Sequence, residues 1–319
     1  MIPRRKFLQL SYASAAALMV KDAVGSTFKE KKKTLGVQLF TLPQMLSDDF
    51  KGTLKLISDI GYKEVEFFGP YSFSAKETIE RWKPIAAQLG IKQNAFYGYS
   101  IPEVKKMLDD FDLKAHSVHL DLITMRNNMA PAMEALSSLG VKFAAIAALN
   151  NQEERKTLDD FKRLADEFNS LGKQMSTHGL TFVYHNHGYE HWEQEGQTPM
   201  HILLKNTDPK YVTFEMDIFW MKAGGAEPVE FLKNYPGRFK LLHIKDASEA
   251  VRFAGDGGTP DQWMALFPKM TDPGTGVFDI KAILDQAVQS GAEHFFLERD
   301  LAPDPTSTLK NSYAYLNKV

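Results

Sequence analysis

Short apolar strands alternate with amphipathic helices along most of this chain, and the helices tend to stop at a glycine. Leu35-Gly-Val-Gln-Leu-Phe40 reads as a strand. Leu54, Ile57 and Ile60 follow with helical spacing and stop at Gly61, and Glu64-Val-Glu-Phe-Phe68 reads as the next strand. Strand, helix, glycine, strand is the unit of a parallel sheet. The pattern predicts eight strands, near 36–40, 65–68, 115–120, 142–149, 182–187, 212–218, 239–244 and 294–298. A long helix is expected from Glu153 to Met175, and residues 71–95, with a helix from Ala75 to Leu89, read as an insertion or an extra unit. Eight such units fit a single (β/α)8 barrel over residues 34–319. A doubly wound open sheet is the alternative, but Gly255-Asp-Gly-Gly258 lacks the strand and helix that a dinucleotide turn requires.

The first residues do not belong to that pattern. Pro3-Arg-Arg-Lys-Phe-Leu8 followed by an apolar run to Val20 is expected to be a twin-arginine export signal over residues 1–25, with a basic linker over 26–33. A poorly ordered N-terminal helix is the plainer reading. The run is short for a bilayer span of about 20 residues. Export would place the protein in the periplasm. Cleavage would remove Arg4, Arg5, Lys6 and Lys21 against Asp22, leaving a chain more acidic than the formal net charge of −2. That balance makes nucleic acid a poor partner. No cysteine is present, which excludes disulfides, thiolate ligands and cysteine nucleophiles.

Chemistry gathers at the exits of the later strands. Thr181-Phe-Val-Tyr-His-Asn-His-Gly-Tyr-Glu190 leaves a strand through His185, His187 and Glu190. Asp217, His243 and Glu298 stand at the ends of the next three strands. In a barrel these exits share one mouth. Two imidazoles and two carboxylates, from His185, Asp217, His243 and Glu298, suit Mn, Zn, Co or Fe, with Mg less natural. Each residue also has an ordinary reading. Asp217 suits a helix cap, His243 a satisfied barrel histidine, and Glu298 a salt bridge with Arg299. Lys245 could pair with Asp246, and His119 and Trp220 could be core.

The order of Gly36-Val-Gln-Leu-Phe40, Gly61-Tyr-Lys-Glu-Val-Glu66, Ser117-Val-His119, Tyr184-His-Asn-His187 with Glu190, Asp217-Ile-Phe-Trp220, His243-Ile-Lys-Asp246, Gly274-Thr-Gly-Val-Phe-Asp279 and Phe296-Leu-Glu298 resembles the sugar phosphate isomerase/epimerase family of the xylose-isomerase-like TIM-barrel superfamily. With its leader the chain looks like a secreted member of Bacteroidetes type. The resemblance runs from about residue 34 to the end. It implies a divalent metal held by carboxylates and histidine from late strands, supporting Asp217, His243 and Glu298. Many members carry a glutamate where this chain has His185-Asn-His187. Aligning His185 with it makes His187 the neighbouring acid/base histidine, and the two could exchange roles.

The expected reaction is removal of a proton α to a carbonyl, with the resulting enediolate stabilised by the metal. His187 or Glu298 would be the base, Lys245 a cationic contact to a hydroxyl or oxyanion, and His119, Glu190 and Trp220 would position the sugar. Epimerisation, isomerisation or elimination follows from where the proton or leaving group goes. No arginine cluster or P-loop offers to hold a phosphate, so the expected partner is an unphosphorylated sugar or a 3-keto-glycoside. No membrane anchor is expected after processing, and a homo-oligomer is left open. A silent sugar-binding barrel and an abasic-site endonuclease are the alternatives, the latter disfavoured by the acidic balance.

Overall fold

A computed structural model describes residues 33–91 and 96–319. The expected export signal lies outside the described residues. Eight parallel strands close into a barrel: β1 (Leu35–Gln38), β2 (Glu64–Phe67), β3 (Lys114–Leu120), β4 (Phe143–Ile146), β5 (Thr181–His185), β6 (Val212–Asp217), β7 (Phe239–Ile244) and β8 (His294–Leu297). Strands adjacent in sequence are adjacent in the barrel, and β1 pairs with both β2 and β8. Residues 71–91 add the helix Lys76–Gln88 but no ninth barrel strand.

Alternation along each strand sorts the side chains. Val37, Val65, Val118, Phe182, Phe214 and Phe295 point outward into the main apolar core under the helices. Their neighbours one residue away point into the barrel, where Ala145, Val183, Leu241 and Phe296 form a separate apolar layer. Each fully buried Val or Phe contributes roughly 1.5–3 kcal/mol by leaving water. Among the described residues no helix is long and apolar enough to cross a membrane.

Several boundaries differ from the sequence pattern because side chains intervene. β6 stops at Asp217 and does not include residue 218. The Asp217 carboxylate accepts from the Trp220 amide at 2.9 Å and starts the helix Ile218–Ala223. The long helix begins at Leu158, not Glu153. Thr157 and Asp160 form a reciprocal cap there, and Gln152–Arg155 is a separate turn of 3-10 helix.

The excursion after β7 is an ordered part of the barrel mouth. Asp246–Ala247 pairs with Met270–Thr271 as a short antiparallel ribbon. The Asp246 carboxylate, fully buried, accepts from the amides of Ala247, Gly274, Gly276 and Phe278 at 2.8–3.1 Å. Phe253, Leu266 and Met270 pack with Phe219 and Trp220 in a small apolar cluster. Arg155 lies 3.9 Å over the Tyr189 ring and donates to the carbonyl of Gly258 at 2.7 Å, tying the excursion to the loop after β4.

Candidate metal centre

The inward phase of the strands carries charge where a barrel interior is usually apolar. Gln38, Glu66, His119, His185, Glu215 and His243 meet in one buried layer. The His243 Nε2 lies 2.6 Å from Glu66 and 3.1 Å from Glu215. Glu215 also meets His119 Nε2 at 2.8 Å and His185 Nδ1 at 3.1 Å. The Gln38 amide donates to Glu66 at 2.8 Å. One step nearer the mouth, Asp217, Lys245, Glu298 and Asp300 form a second layer. Lys245 Nζ stands 2.9 Å from Asp217, 2.8 Å from Glu298 and 2.6 Å from Asp300.

Two buried atoms between these layers make no hydrogen bond: Asp217 Oδ2 and His243 Nδ1. They lie 3.9 Å apart. Glu298 Oε2 is 2.7 Å from His243 Nδ1, and Lys245 Nζ is 2.9 Å from Asp217 Oδ2, but neither contact has hydrogen-bond alignment. Asp217, His243 and Glu298 offer ligand atoms within 4.8 Å of one another. The His185 Nε2 faces the same Asp217 oxygen at 3.9 Å. Each imidazole thus turns one nitrogen to this space and binds a carboxylate with the other, the arrangement that orients histidine ligands. The donor set fits a divalent ion.

The same contacts fix the charge states. Burial pushes the Glu298 carboxyl up, but Lys245 and His243 more than offset it and hold it well below the usual range. Glu215 is held low in the same way against burial, by His243, His119 and His185. Burial pulls His243 and His119 down, and the surrounding carboxylates reverse this, raising His243 well above its ordinary value and His119 to about 9. His187 behaves oppositely. Burial, then His185 and Lys245, depress it well below its ordinary value, so it is neutral at pH 7.

The sequence-derived candidates divide on this map. His185, Asp217, His243, Glu298 and Lys245 come together, with His119 below them. His187 stands outside the carboxylate layers. Its ring stacks on Trp220 at 6.1 Å and meets Trp263 at 4.7 Å, and its buried Nδ1 has no hydrogen-bond partner. Gly188 holds that bend with φ +93°, and a Cβ there would lie 2.4 Å from the Trp220 carbonyl oxygen. Glu190 does not join the site. It is fully buried, accepts from the Tyr184 hydroxyl at 2.7 Å and from the His187 amide at 3.2 Å, and braces the bend from behind. Tyr184 is on the outward phase of β5, so Glu190 follows it away from the mouth. Lys245 and Asp246 do not pair with each other, and Arg299 pairs with Asp272 at 2.8 Å and not with Glu298. Asp217 is both cap and cluster member, one oxygen for each. Glu66 and Glu215 were not anticipated from sequence, although Glu64-Val-Glu66 and Glu215-Met-Asp217 put acids on alternate positions of central strands. A cavity of about 330 Å³ beyond the ends of β3 and β4 is lined by Arg81, Asp121 and Asn150, and by none of the clustered residues.

The family description for xylose isomerase-like TIM barrels matches residues 54–319. The chain belongs to the xylose isomerase-like TIM barrel family. A curated relative similar to it is an inosose dehydratase of Bacillus cereus, 29% identical over 166 residues, covering 51% of this chain and 53% of that protein. The chain spans about a third to a half of the length of the first curated relatives it matches. Among solved members, a sugar phosphate isomerase/epimerase from Parabacteroides distasonis is 25% identical, with a TM-score of 0.68 over 91% of this chain and 96% of that one. The zinc-bound IOLI protein, 17% identical with a TM-score of 0.60 over 89% of this chain and 95% of that one, shares the barrel.

Proposed function

We propose that this barrel is a metal-dependent sugar enzyme that removes a proton α to a carbonyl, acting on an unphosphorylated sugar or 3-keto-glycoside. The observation that carries the reading is the pair of orphaned buried atoms, Asp217 Oδ2 and His243 Nδ1, beside Glu298 and His185. These four residues would hold the ion, with zinc, manganese or cobalt suited to the donors. When bound, it supplies Lewis-acid polarisation of the carbonyl and stabilises the negative charge of the enediolate. His187 is neutral with a free Nδ1, so it can accept the substrate proton, whereas two cationic neighbours, His243 and Lys245, crowd Glu298 Oε2 at 2.7 and 2.8 Å. Lys245 keeps a positive charge beside the ligands and can contact a hydroxyl or oxyanion, while Trp220 and Trp263 flank His187 as apolar walls for a sugar ring.

Epimerase, isomerase and lyase chemistry share this first step. The dehydratase relatives favour elimination: the electron pair left by the departing proton expels a group β to the carbonyl. Among the described residues no arginine cluster lies near His185, Asp217, His243 and Glu298, which supports an unphosphorylated substrate, and the twin-arginine pattern supports a periplasmic location.

The test is proton NMR in D2O with a 3-keto-glucoside and the Mn-reconstituted protein. Aglycone release supports the lyase reading, and deuterium uptake at C2 without release supports epimerase or isomerase work. Chelation, Asp217→Ala and His243→Ala are each expected to abolish turnover with the fold intact. His187→Ala is expected to keep the metal and lose about 100-fold or more in proton exchange. Full activity after chelation and in both ligand variants ends the proposal.

A further inference from the structure

A second cluster of ligand types lies at the opposite end of the strands. Glu64 opens β2, His294 opens β8, and His116 stands near the start of β3. The Glu64 carboxylate faces His116 Nδ1 at 3.0 Å through one oxygen and His294 Nδ1 at 2.8 Å through the other. All three ligand atoms lie within 4.8 Å of one another. The two imidazole rings are 5.1 Å apart between centroids. The geometry points to a second divalent-metal site here, made of two imidazoles and one carboxylate and suited to zinc or another late transition ion.

The surroundings build this site on purpose-shaped backbone. β1 runs between β2 and β8, so a side chain on its inward phase would separate Glu64 from His294. Gly36 occupies that position. A Cβ there would lie 2.5 Å from the Phe296 ring and 2.9 Å from the Glu64 Cβ. The His294 ring is held between Phe143, in edge contact at 5.2 Å, and Phe296, stacked at 6.4 Å, which keeps its Nδ1 on Glu64. The His116 side chain is 33% exposed and free to adjust.

Bonds of about 2.0 Å in a tetrahedral zinc site put ligand atoms roughly 3.3 Å apart. The two carboxylate contacts need to open by a few tenths of an ångström, and His116 needs to turn inward. Solvent on the His116 side can supply a fourth ligand. Two imidazoles and one carboxylate are a ligand set that zinc uses. Bound there, the ion would tie β2, β3 and β8 together at the seam where the first and last strands meet. The site shares no residue with the cluster at the other mouth.

The test uses the full chain, stripped with a chelator and re-equilibrated with Zn2+ alone, with zinc per chain measured by plasma mass spectrometry. His116→Gln and Glu64→Gln are each expected to lose one equivalent relative to the parent protein while keeping its circular dichroism spectrum. If the mouth near Asp217 holds no zinc, the parent binds one equivalent and both variants bind none, so failure of the proposed function reads differently from failure of this site. A parent zinc content unchanged in both variants overturns the inference. Should either variant unfold, Asp217→Ala protein loaded with Cu2+ decides by electron paramagnetic resonance. Two-imidazole hyperfine coupling that is reduced in Asp217→Ala/His294→Gln relative to Asp217→Ala supports the site, and a spectrum that His294→Gln leaves unchanged, or one without imidazole coupling, overturns it.

Discussion

Glu66 touches no open space at the mouth, yet it bonds the far nitrogen of His243 at 2.6 Å. Carboxylates in that position set a histidine's tautomer and ring angle, and their loss typically weakens metal affinity about 10–100-fold. Glu66→Gln is therefore expected to weaken metal binding by that factor with the fold intact, measured by competition with a chelating dye. His191 gives a second residue-scale expectation. Both of its ring nitrogens are buried without a partner, and its ring meets Phe231 at 5.0 Å. Burial, then His201 and Arg252, depress it to about 3. The unfolded chain takes up this proton below about 6.5 while the folded chain refuses it, so stability is full above that pH and declines as pH falls toward 3. The loss is about 2 kcal/mol at pH 5. His191→Phe removes it, so the variant's unfolding midpoint is expected to gain on the parent's as pH drops from 7 to 5; a constant difference would refute the assignment. Glu190 shows why residues near a motif are hard to read. It sits in the same ten-residue stretch as His185 and His187, but the bend at Gly188 sends it to the opposite side of the strand.

At the scale of elements, Asp246 organises the excursion between β7 and β8. Its two oxygens serve four amides, three of them in the segment from Gly274 to Phe278. Asp246→Ala is expected to cost about 2–3 kcal/mol, the range for charged hydrogen bonds lost from a buried site. It should also open the segment from Phe253 to Gly276 to limited proteolysis before the barrel unfolds, and equal protease resistance would contradict the role given to this carboxylate. The strands and most helices were legible in sequence because alternation and glycine stops are local signals. The meeting of His185, Asp217, His243 and Glu298 was legible because parallel topology places all strand exits together. Two things were not local. Asp217 ends β6 early through a cap made by its own side chain. Glu66 and Glu215 look like solvent-facing acids until the barrel closes, and only their inward phase, shared with His243 and His119, puts them under the site.

At the scale of the molecule, the barrel interior holds one apolar layer, Ala145, Val183, Leu241 and Phe296, with charged clusters toward both ends, and is closed by the pairing of β1 with β8. Leu35, Gly36 and Val37 lie opposite Phe295, Phe296 and Leu297. Deleting the chain from His294 onward removes that seam together with Glu298, and is expected to abolish the cooperative thermal transition seen by circular dichroism. Deletion of the helix Pro305–Leu316 alone should lower the midpoint and leave a transition, because its contact with the body includes the Tyr62 hydroxyl on Leu309 and the ring pair of Tyr62 with Tyr313. The seam joins the earliest strand to the latest. During vectorial synthesis Glu66, with the neutral amide of Gln38 beside it, emerges long before its partner His243, so the nascent chain carries a carboxylate of this network without that counterion. Water must solvate that carboxylate until the late strands arrive, so a chain that ends before β8 leaves exposed, as an open sheet, the charge that the closed barrel buries.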